Sequence, residues 1–226
     1  MAVDIDFLRR VAFFAGLTDE ELRALARGLV ERRYDAGEIV LPEEETGRCV
    51  YVVREGRVKV SRWLPSGREL ILAYHDPPEH FGEMALLDGR TTPATVTAVA
   101  RSAVVLLGRA QFETLLRTPN FSRALLQVLC GRCRDAWTQL EILNQREPDA
   151  RLRMALHRLC ASHGKPTAEG TWIDLRLTHR ELANIVGVTR ETATRALSRL
   201  EAEKLVIPRD HSFLVPDPGK LLEDLE

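Results

Sequence analysis

Leu175-Arg-Leu-Thr-His-Arg-Glu-Leu-Ala-Asn-Ile-Val-Gly-Val-Thr-Arg-Glu-Thr-Ala-Thr-Arg-Ala-Leu197 reads as two short capped helices joined by a tight turn. Thr178 stands where an N-cap hydroxyl is wanted, and Glu181 follows three residues later, the spacing of a capping box. Gly187 supplies the stop, and Thr189 caps a second helix two residues further on. Two capped helices on a short glycine-containing turn predict a helix-turn-helix. Beyond it, Leu205-Val-Ile and Phe213-Leu-Val flank a polar turn, which predicts the hairpin of a winged version.

The second of these helices has a clear inside and outside. Ala193, Ala196, Leu197 and Leu200 fall at i, i+3, i+4 and i+7 and face a core. Glu191, Arg195 and Ser198 then project outward, with Arg190 on the flank of the first turn. A guanidinium fork suits the paired O6/N7 acceptors of guanine, and a carboxylate accepts from cytosine N4, so Arg190, Glu191 and Arg195 are the candidate base readers. Thr178, Thr189, Thr192, Arg199 and Arg209 are candidates for the phosphate backbone, through hydroxyls, helix-start amides or charge. Seven basic residues stand against four acidic ones between Arg176 and Arg209, a local +3 hidden within a chain of net charge −1. Taken alone, Glu191 and Arg195 would be an ordinary i,i+4 surface pair. The caps, the turn and the wing together favour double-stranded DNA as the partner.

Upstream lies one long helix. Between Pro119 and Pro148 there is no proline and one glycine, Gly131. Leu126, Leu129, Cys133, Ala136, Leu140 and Leu143 are spaced 3, 4, 3, 4, 3, a two-stranded coiled-coil seam that predicts a homodimer. The alternative occupant of the stripe is the helix's own domain. Upstream again, to about residue 110, the pattern changes to short β-rich runs punctuated by Gly37, Gly47, Gly56, Gly67 and Gly89. Val50-Tyr-Val-Val and Val58-Lys-Val-Ser read as strands either side of a tight turn, and Thr95-Val-Thr-Ala-Val and Val104-Val-Leu-Leu continue the series. Many short strands without intervening helices predict a sandwich or jelly-roll barrel. The expected architecture is therefore α+β: a β-roll over residues 1–118, a dimerisation helix over 119–147 and a winged helix-turn-helix over 148–226.

Composition narrows the class. The 226 residues are 45% hydrophobic and 29% charged, ordinary for a soluble globular protein. No apolar run approaches the ~18 residues of a membrane span, and the N-terminus lacks the apolar core of a signal peptide. Cys49, Cys130, Cys133 and Cys160 are too few and scattered for a disulfide scaffold, so they are read as reduced cytoplasmic thiols.

Ile185-Val-Gly-Val-Thr-Arg-Glu-Thr-Ala-Thr-Arg195 closely resembles the recognition segment of the cyclic-AMP receptor protein and its relatives, the CRP/FNR superfamily. Phe81-Gly-Glu-Met-Ala-Leu-Leu-Asp-Gly-Arg-Thr-Thr-Pro-Ala-Thr-Val96 resembles that family's phosphate-binding cassette, and Ala36-Gly-Glu and Val52-Val-Arg-Glu-Gly-Arg-Val-Lys-Val match its barrel strands. The resemblance spans nearly the whole chain. It implies a transcription regulator rather than an enzyme, two inverted half-sites similar to TGTGA, and RNA polymerase as a further partner. The Arg-Glu-Thr-x-x-Arg spacing follows the receptor-protein branch rather than the FNR branch.

The cassette departs from the pattern that the resemblance implies. Gly82 and Glu83, the latter matching the ribose-binding glutamate, are present. The Arg expected for the cyclic phosphate is Thr92, and Pro93, which has no N–H, follows it. On the long helix, Ala136 and Trp137 stand where relatives place Thr and Ser toward the adenine. Arg90 is the nearest substitute, two residues early. The effector pocket is thus expected to be degenerate, with Trp137 filling it, no cofactor required and operator binding independent of cyclic AMP. A cyclic nucleotide or another small effector in the β-roll is the alternative. Cys130-Gly-Arg-Cys133 has C-x-x-C spacing, but it lacks the N-terminal cysteine cluster of FNR-type sensors and is read as small buried thiols. His75 and His80 are read as solvated loop residues, so no metal site is assigned. A cupin-like metalloenzyme would need clustered ligands that the sequence does not contain, and would leave the helix-turn-helix without a use.

Overall fold

The computed structural model describes residues 3–223 and Leu225, and resolves two compact units. The first spans the N-terminal residues to Arg62 and Leu72–Asp135; the second joins Trp63–Ile71 to the residues from Ala136 onward.

The first unit opens with helices α1 (Ile5–Arg9) and α2 (Asp19–Ala26). Thr18 caps α2 through a full capping box: the Glu21 amide donates to Thr18 Oγ1 at 3.3 Å and the Thr18 amide to Glu21 Oε2 at 2.7 Å. Eight strands follow: β1 (Val30–Tyr34), β2 (Ile39–Leu41), β3 (Cys49–Glu55), β4 (Val58–Trp63), β5 (Glu69–His75), β6 (His80–Phe81), then, after helix α3 (Glu83–Leu87), β7 (Thr95–Ala98) and β8 (Ser102–Gly108). They form two four-stranded sheets, ordered β1-β8-β3-β6 and β2-β7-β4-β5. Residues from both sheets share one apolar cluster, with Leu41, Val58 and Val96 from one sheet and Val53, Phe81, Val104 and Leu106 from the other. This is the β-roll expected from the short alternating runs.

The turn at Glu55-Gly56-Arg57 does more than reverse the chain. β3 pairs with β8 and β6, whereas β4 pairs with β7, so the turn passes the chain from one sheet to the other. Gly56 sits at φ 80°, and a Cβ there would lie 2.4 Å from the Arg101 carbonyl oxygen. No other residue fits so close an approach.

A second apolar cluster backs β3 and β8. There α1, α2 and helix α4 (Arg109–Leu115) meet the start of the 26-residue helix α5 (Pro119–Asn144) through Phe7, Leu22, Phe112, Phe121 and Leu125. Phe112, Phe13 and Phe14 all pack around the Phe121 ring, with centroids 5.4–6.3 Å apart.

In the second unit, α6 (Pro148–His163) buries Leu152, Leu156 and Leu159. A four-stranded sheet of order β11-β12-β10-β9 is built from β9 (Gly164–Thr167), β10 (Gly170–Ile173), β11 (Ile207–Arg209) and β12 (Ser212–Val215). Helices α7 (His179–Val186) and α8 (Arg190–Ala202) lie between the two strand pairs in sequence. Asp210 and His211, both in the left-handed region, form the two-residue turn of the β11–β12 hairpin, with Arg209 opposite Ser212. No helix among the described residues is long and apolar enough to cross a membrane.

Candidate nucleic-acid interface and effector cavity

The α7–α8 pair is tied together at each exposed helix end. At the start of α7 the Glu181 amide donates to Thr178 Oγ1 at 3.1 Å, and the Thr178 amide donates to Glu181 Oε2 at 2.8 Å. Gly187 closes α7 at φ 69°, a left-handed cap that a side chain would strain. Thr189 caps α8 by accepting from the Thr192 amide at 3.2 Å. Two further contacts at this turn have no sequence signature. The Ile185 carbonyl, near the end of α7, accepts from Gln139 Nε2 at 2.9 Å, and the Val186 carbonyl accepts from Arg151 at 3.4 Å. They satisfy helix-end acceptors that would otherwise be left without partners. His179 Nδ1 and Thr194 Oγ1, 2.9 Å apart, join the two helices directly.

On α8 the structure buries Ala193, Ala196, Leu197 and Leu200 and exposes Arg190, Glu191, Arg195 and Ser198. The Glu191 carboxyl is held below its ordinary range by its own backbone amide and the Thr189 hydroxyl, with Arg190 and Arg195 adding favourable charge. It is therefore ionised at neutral pH, as an acceptor for a base amino group must be. A groove of about 680 Å³ runs beside the helix start, lined among others by Thr178, Arg180, Arg190, Arg209 and His211. Arg209 meets Glu169 at 2.6 Å, an exposed pair of little strength that a phosphate can replace. Arg199 is differently placed. Its guanidinium makes two 2.5 Å bonds to Asp149 and so ties α8 to the first turn of α6, a use the helical pattern alone did not indicate.

On α5 four of the six seam residues, Leu126, Cys133, Ala136 and Leu140, are exposed. Leu129 packs against the core cluster of the first unit, and Leu143 is half-buried near Gly187, where a Cβ would lie 3.1 Å from Leu143 Cδ2. Cys130 and Trp137, beside the seam, are exposed as well. Leu126, Trp137 and Leu140 are each more than 60% exposed. The packing of Phe121, Leu125 and Leu129 decides which face of the helix turns inward.

The cassette keeps its glutamate inside the fold. Glu83 opens α3 and is fully buried. Its partner is Arg132 of α5, which donates to Glu83 Oε1 and to the His80 carbonyl. Trp137, expected to fill this space, is exposed; five residues along a helix turn it about 140° away from Arg132. Thr92 is buried, its hydroxyl donating to the Pro42 carbonyl at 2.6 Å and accepting from the Glu45 amide at 3.0 Å, so it pins a loop. Arg90 is exposed and does not line the cavity. The remaining space, about 80 Å³ between Leu41, Phe81, Glu83, Thr92, Val96 and Arg132, is well below the ~300 Å³ of the smaller ligand sites. His80, read from sequence as solvated, is buried, and burial first and the Arg132 charge second push its pKa down to about 2. No group of three or more His, Cys, Asp or Glu among the described residues is arranged to hold a metal ion.

The comparisons agree with this architecture. Residues 31–118 match the cyclic nucleotide-binding domain, and residues 150–223 match the Crp-like helix-turn-helix domain. The chain is 31% identical to the cyclic AMP receptor protein of Thermus thermophilus, over 85% of this chain and 87% of that protein. It is 35% identical to the global nitrogen regulator of a Nostoc species, over 76% and 78%. Among solved structures, the c-di-GMP responsive global regulator of Xanthomonas campestris superposes with a TM-score of 0.73 at 25% identity, covering 87% of this chain and 96% of that one. A β-roll, a long helix and a winged helix-turn-helix in this order define a transcription regulator rather than an enzyme. The chain belongs to the CRP/FNR family, whose regulators bind DNA and act as dimers.

Proposed function

We propose that this regulator binds a TGTGA-like inverted repeat as a homodimer, and does so without cyclic AMP. The base readers are Arg190, Glu191 and Arg195, exposed together in the first turns of α8. Thr178 and Arg209, which line the groove beside Arg190, and Thr189 and Thr192 at the start of α8 hold phosphates, while Arg199 is retained by Asp149. Two copies pair through the α5 seam of Leu126, Leu129, Cys133, Ala136, Leu140 and Leu143, which brings two recognition helices to one duplex. Contact with RNA polymerase belongs to the same reading, as does a cytoplasmic site of action.

Independence from cyclic AMP is supported chiefly by the Arg132–Glu83 pair. The glutamate that would take a ribose is already held by the chain's own guanidinium, and Thr92 supplies no fork for a cyclic phosphate. A ligand shifts an equilibrium only by its differential affinity for two states, and few groups here could supply it. One observation favours a second reading, a small effector: Glu83 Oε2 is buried without a hydrogen-bond partner beside the 80 Å³ cavity. Fluorescence anisotropy on a TGTGA-type palindrome, with and without millimolar cyclic AMP, tests both. Operator affinity should change less than threefold. A tenfold response would show that Arg132 yields to the nucleotide and that the cassette is functional.

A further inference from the structure

Glu169 is neither a base reader nor a phosphate contact, yet it holds one of the residues assigned to that work. Its Oε2 accepts from Arg209 Nη1 at 2.6 Å. Arg209 lines the groove beside α8 together with Thr178, Arg180 and Arg190. Its guanidinium therefore has two anions to choose between, a carboxylate of its own chain and a phosphate of the duplex. We propose that Glu169 is the positioning residue of the wing: it keeps Arg209 committed in the free protein and so holds down affinity for DNA of every sequence. The inference rests on the phosphate contact given to Arg209 under the proposed function.

The backbone is fixed on both sides of this pair, so exchange of partners is a matter of side chains. Glu169 stands in the turn between β9 and β10, where Thr167 Oγ1 accepts from the Glu169 amide at 3.2 Å and donates to the Gly170 carbonyl at 2.8 Å. Gly170, at φ 136°, lies so close to β12 that a Cβ would stand 2.4 Å from the Val215 carbonyl oxygen. Arg209 ends β11 opposite Ser212, and the Leu177 amide holds the wing turn by donating to the His211 carbonyl at 2.9 Å. The two side chains, by contrast, are more than half exposed, 51% for Arg209 and 64% for Glu169. One screened contact between them changes binding by a modest factor. The Arg199–Asp149 pair is built differently, with two 2.5 Å bonds from one guanidinium, and is the harder of the two to exchange.

Charge density decides which anion wins. A duplex carries one negative charge per about 1.7 Å of its axis, and each phosphate that is neutralised releases condensed counterions, a gain that an internal pair does not give. Glu169 therefore does not prevent the phosphate contact; it weakens it by the free energy of the pair that must be broken. Phosphates carry no base information, so the weakening is the same for every sequence. Salt screens the exposed pair, so the effect of Glu169 is greatest at low ionic strength.

The test is a double-mutant cycle on the full-length protein: wild type, Glu169→Gln, Arg209→Ala and the double variant. Each is measured by fluorescence anisotropy on a TGTGA-type palindrome and on a duplex of scrambled sequence. Glu169→Gln should tighten binding to both duplexes by about threefold at about 50 mM salt, and by less at about 200 mM. In the Arg209→Ala background the same substitution should change affinity by less than about 1.5-fold. Circular dichroism of the four proteins should coincide, since both side chains lie at the surface. No gain in Glu169→Gln overturns the proposal. So does an equal gain with and without Arg209, because the carboxylate would then be repelling DNA directly. An Arg209→Ala protein that binds as tightly as wild type removes the phosphate contact, and the proposal with it. Equal binding of the two duplexes by wild type overturns the TGTGA reading, and a gain that still depends on Arg209 supports the role of Glu169 in that case too.

Discussion

The recognition helix and the cassette both match one family, yet their side chains are brought together in different ways. In α8 the proposed base readers are a few residues apart on one helix, and helical periodicity alone determines that Arg190, Glu191 and Arg195 share an outward surface. In the cassette the outcome rests on Arg132, 49 residues from Glu83 in sequence and brought to it by the packing of α5. A motif whose parts are local is informative by itself. A motif that needs a distant partner can be kept in sequence and be occupied from within.

The most severe way to break that comparison is to remove the internal partner. Arg132→Ala leaves the buried Glu83 carboxylate unpaired and should lower unfolding stability by about 3 kcal/mol or more, because an uncompensated buried charge is costly. Adding Glu83→Gln should restore much of the loss, measured by urea denaturation of both variants. A single variant as stable as wild type would mean that the pair does not hold the cavity closed.

On the other side of the comparison, Arg190→Ala should cost about 1–3 kcal/mol in operator binding and relax preference at one base pair per half-site. Arg209→Ala should weaken all sequences alike and lower the slope of log affinity against log salt by about 1. Competition binding with single-base operator variants separates the two. Unchanged selectivity in Arg190→Ala would remove it from the base readers.

A subtler effect sharpens the view of the cassette as a closed, dry region. His80 is held neutral, its pKa pushed down to about 2 by burial and by Arg132, whereas the unfolded chain takes up that proton near pH 6.5. Stability from this group is therefore full above pH 6.5 and is lost as pH falls from there toward 2, by about 1.4 kcal/mol per unit. Between pH 7 and pH 5, wild type should lose about 2 kcal/mol more than His80→Phe, which has no proton to exclude. Thermal or urea unfolding across that range decides it; parallel losses in the two proteins would place His80 in contact with water.

Much of this molecule was legible from residue order. Thr178, Glu181, Gly187 and Thr189 announce two helices and a turn because caps and stops act over three or four residues. The β-rich pattern of the first unit indicated a roll, but not that the turn at Gly56 separates two sheets, since turn chemistry does not say which strands pair.

Local forces thus determined, from the sequence by itself, the fold class, the helix limits and the outward face of α8, because each depends on neighbours within one or two turns. Tertiary structure alone decided that Leu129 turns in part toward the core, that Arg199 belongs to Asp149, that His80 is buried, and that Arg132 rather than Trp137 meets Glu83. A 3-4 pattern on a long helix admits more than one inward face, and the choice between them is made by side chains far away in sequence that compete for the same contact.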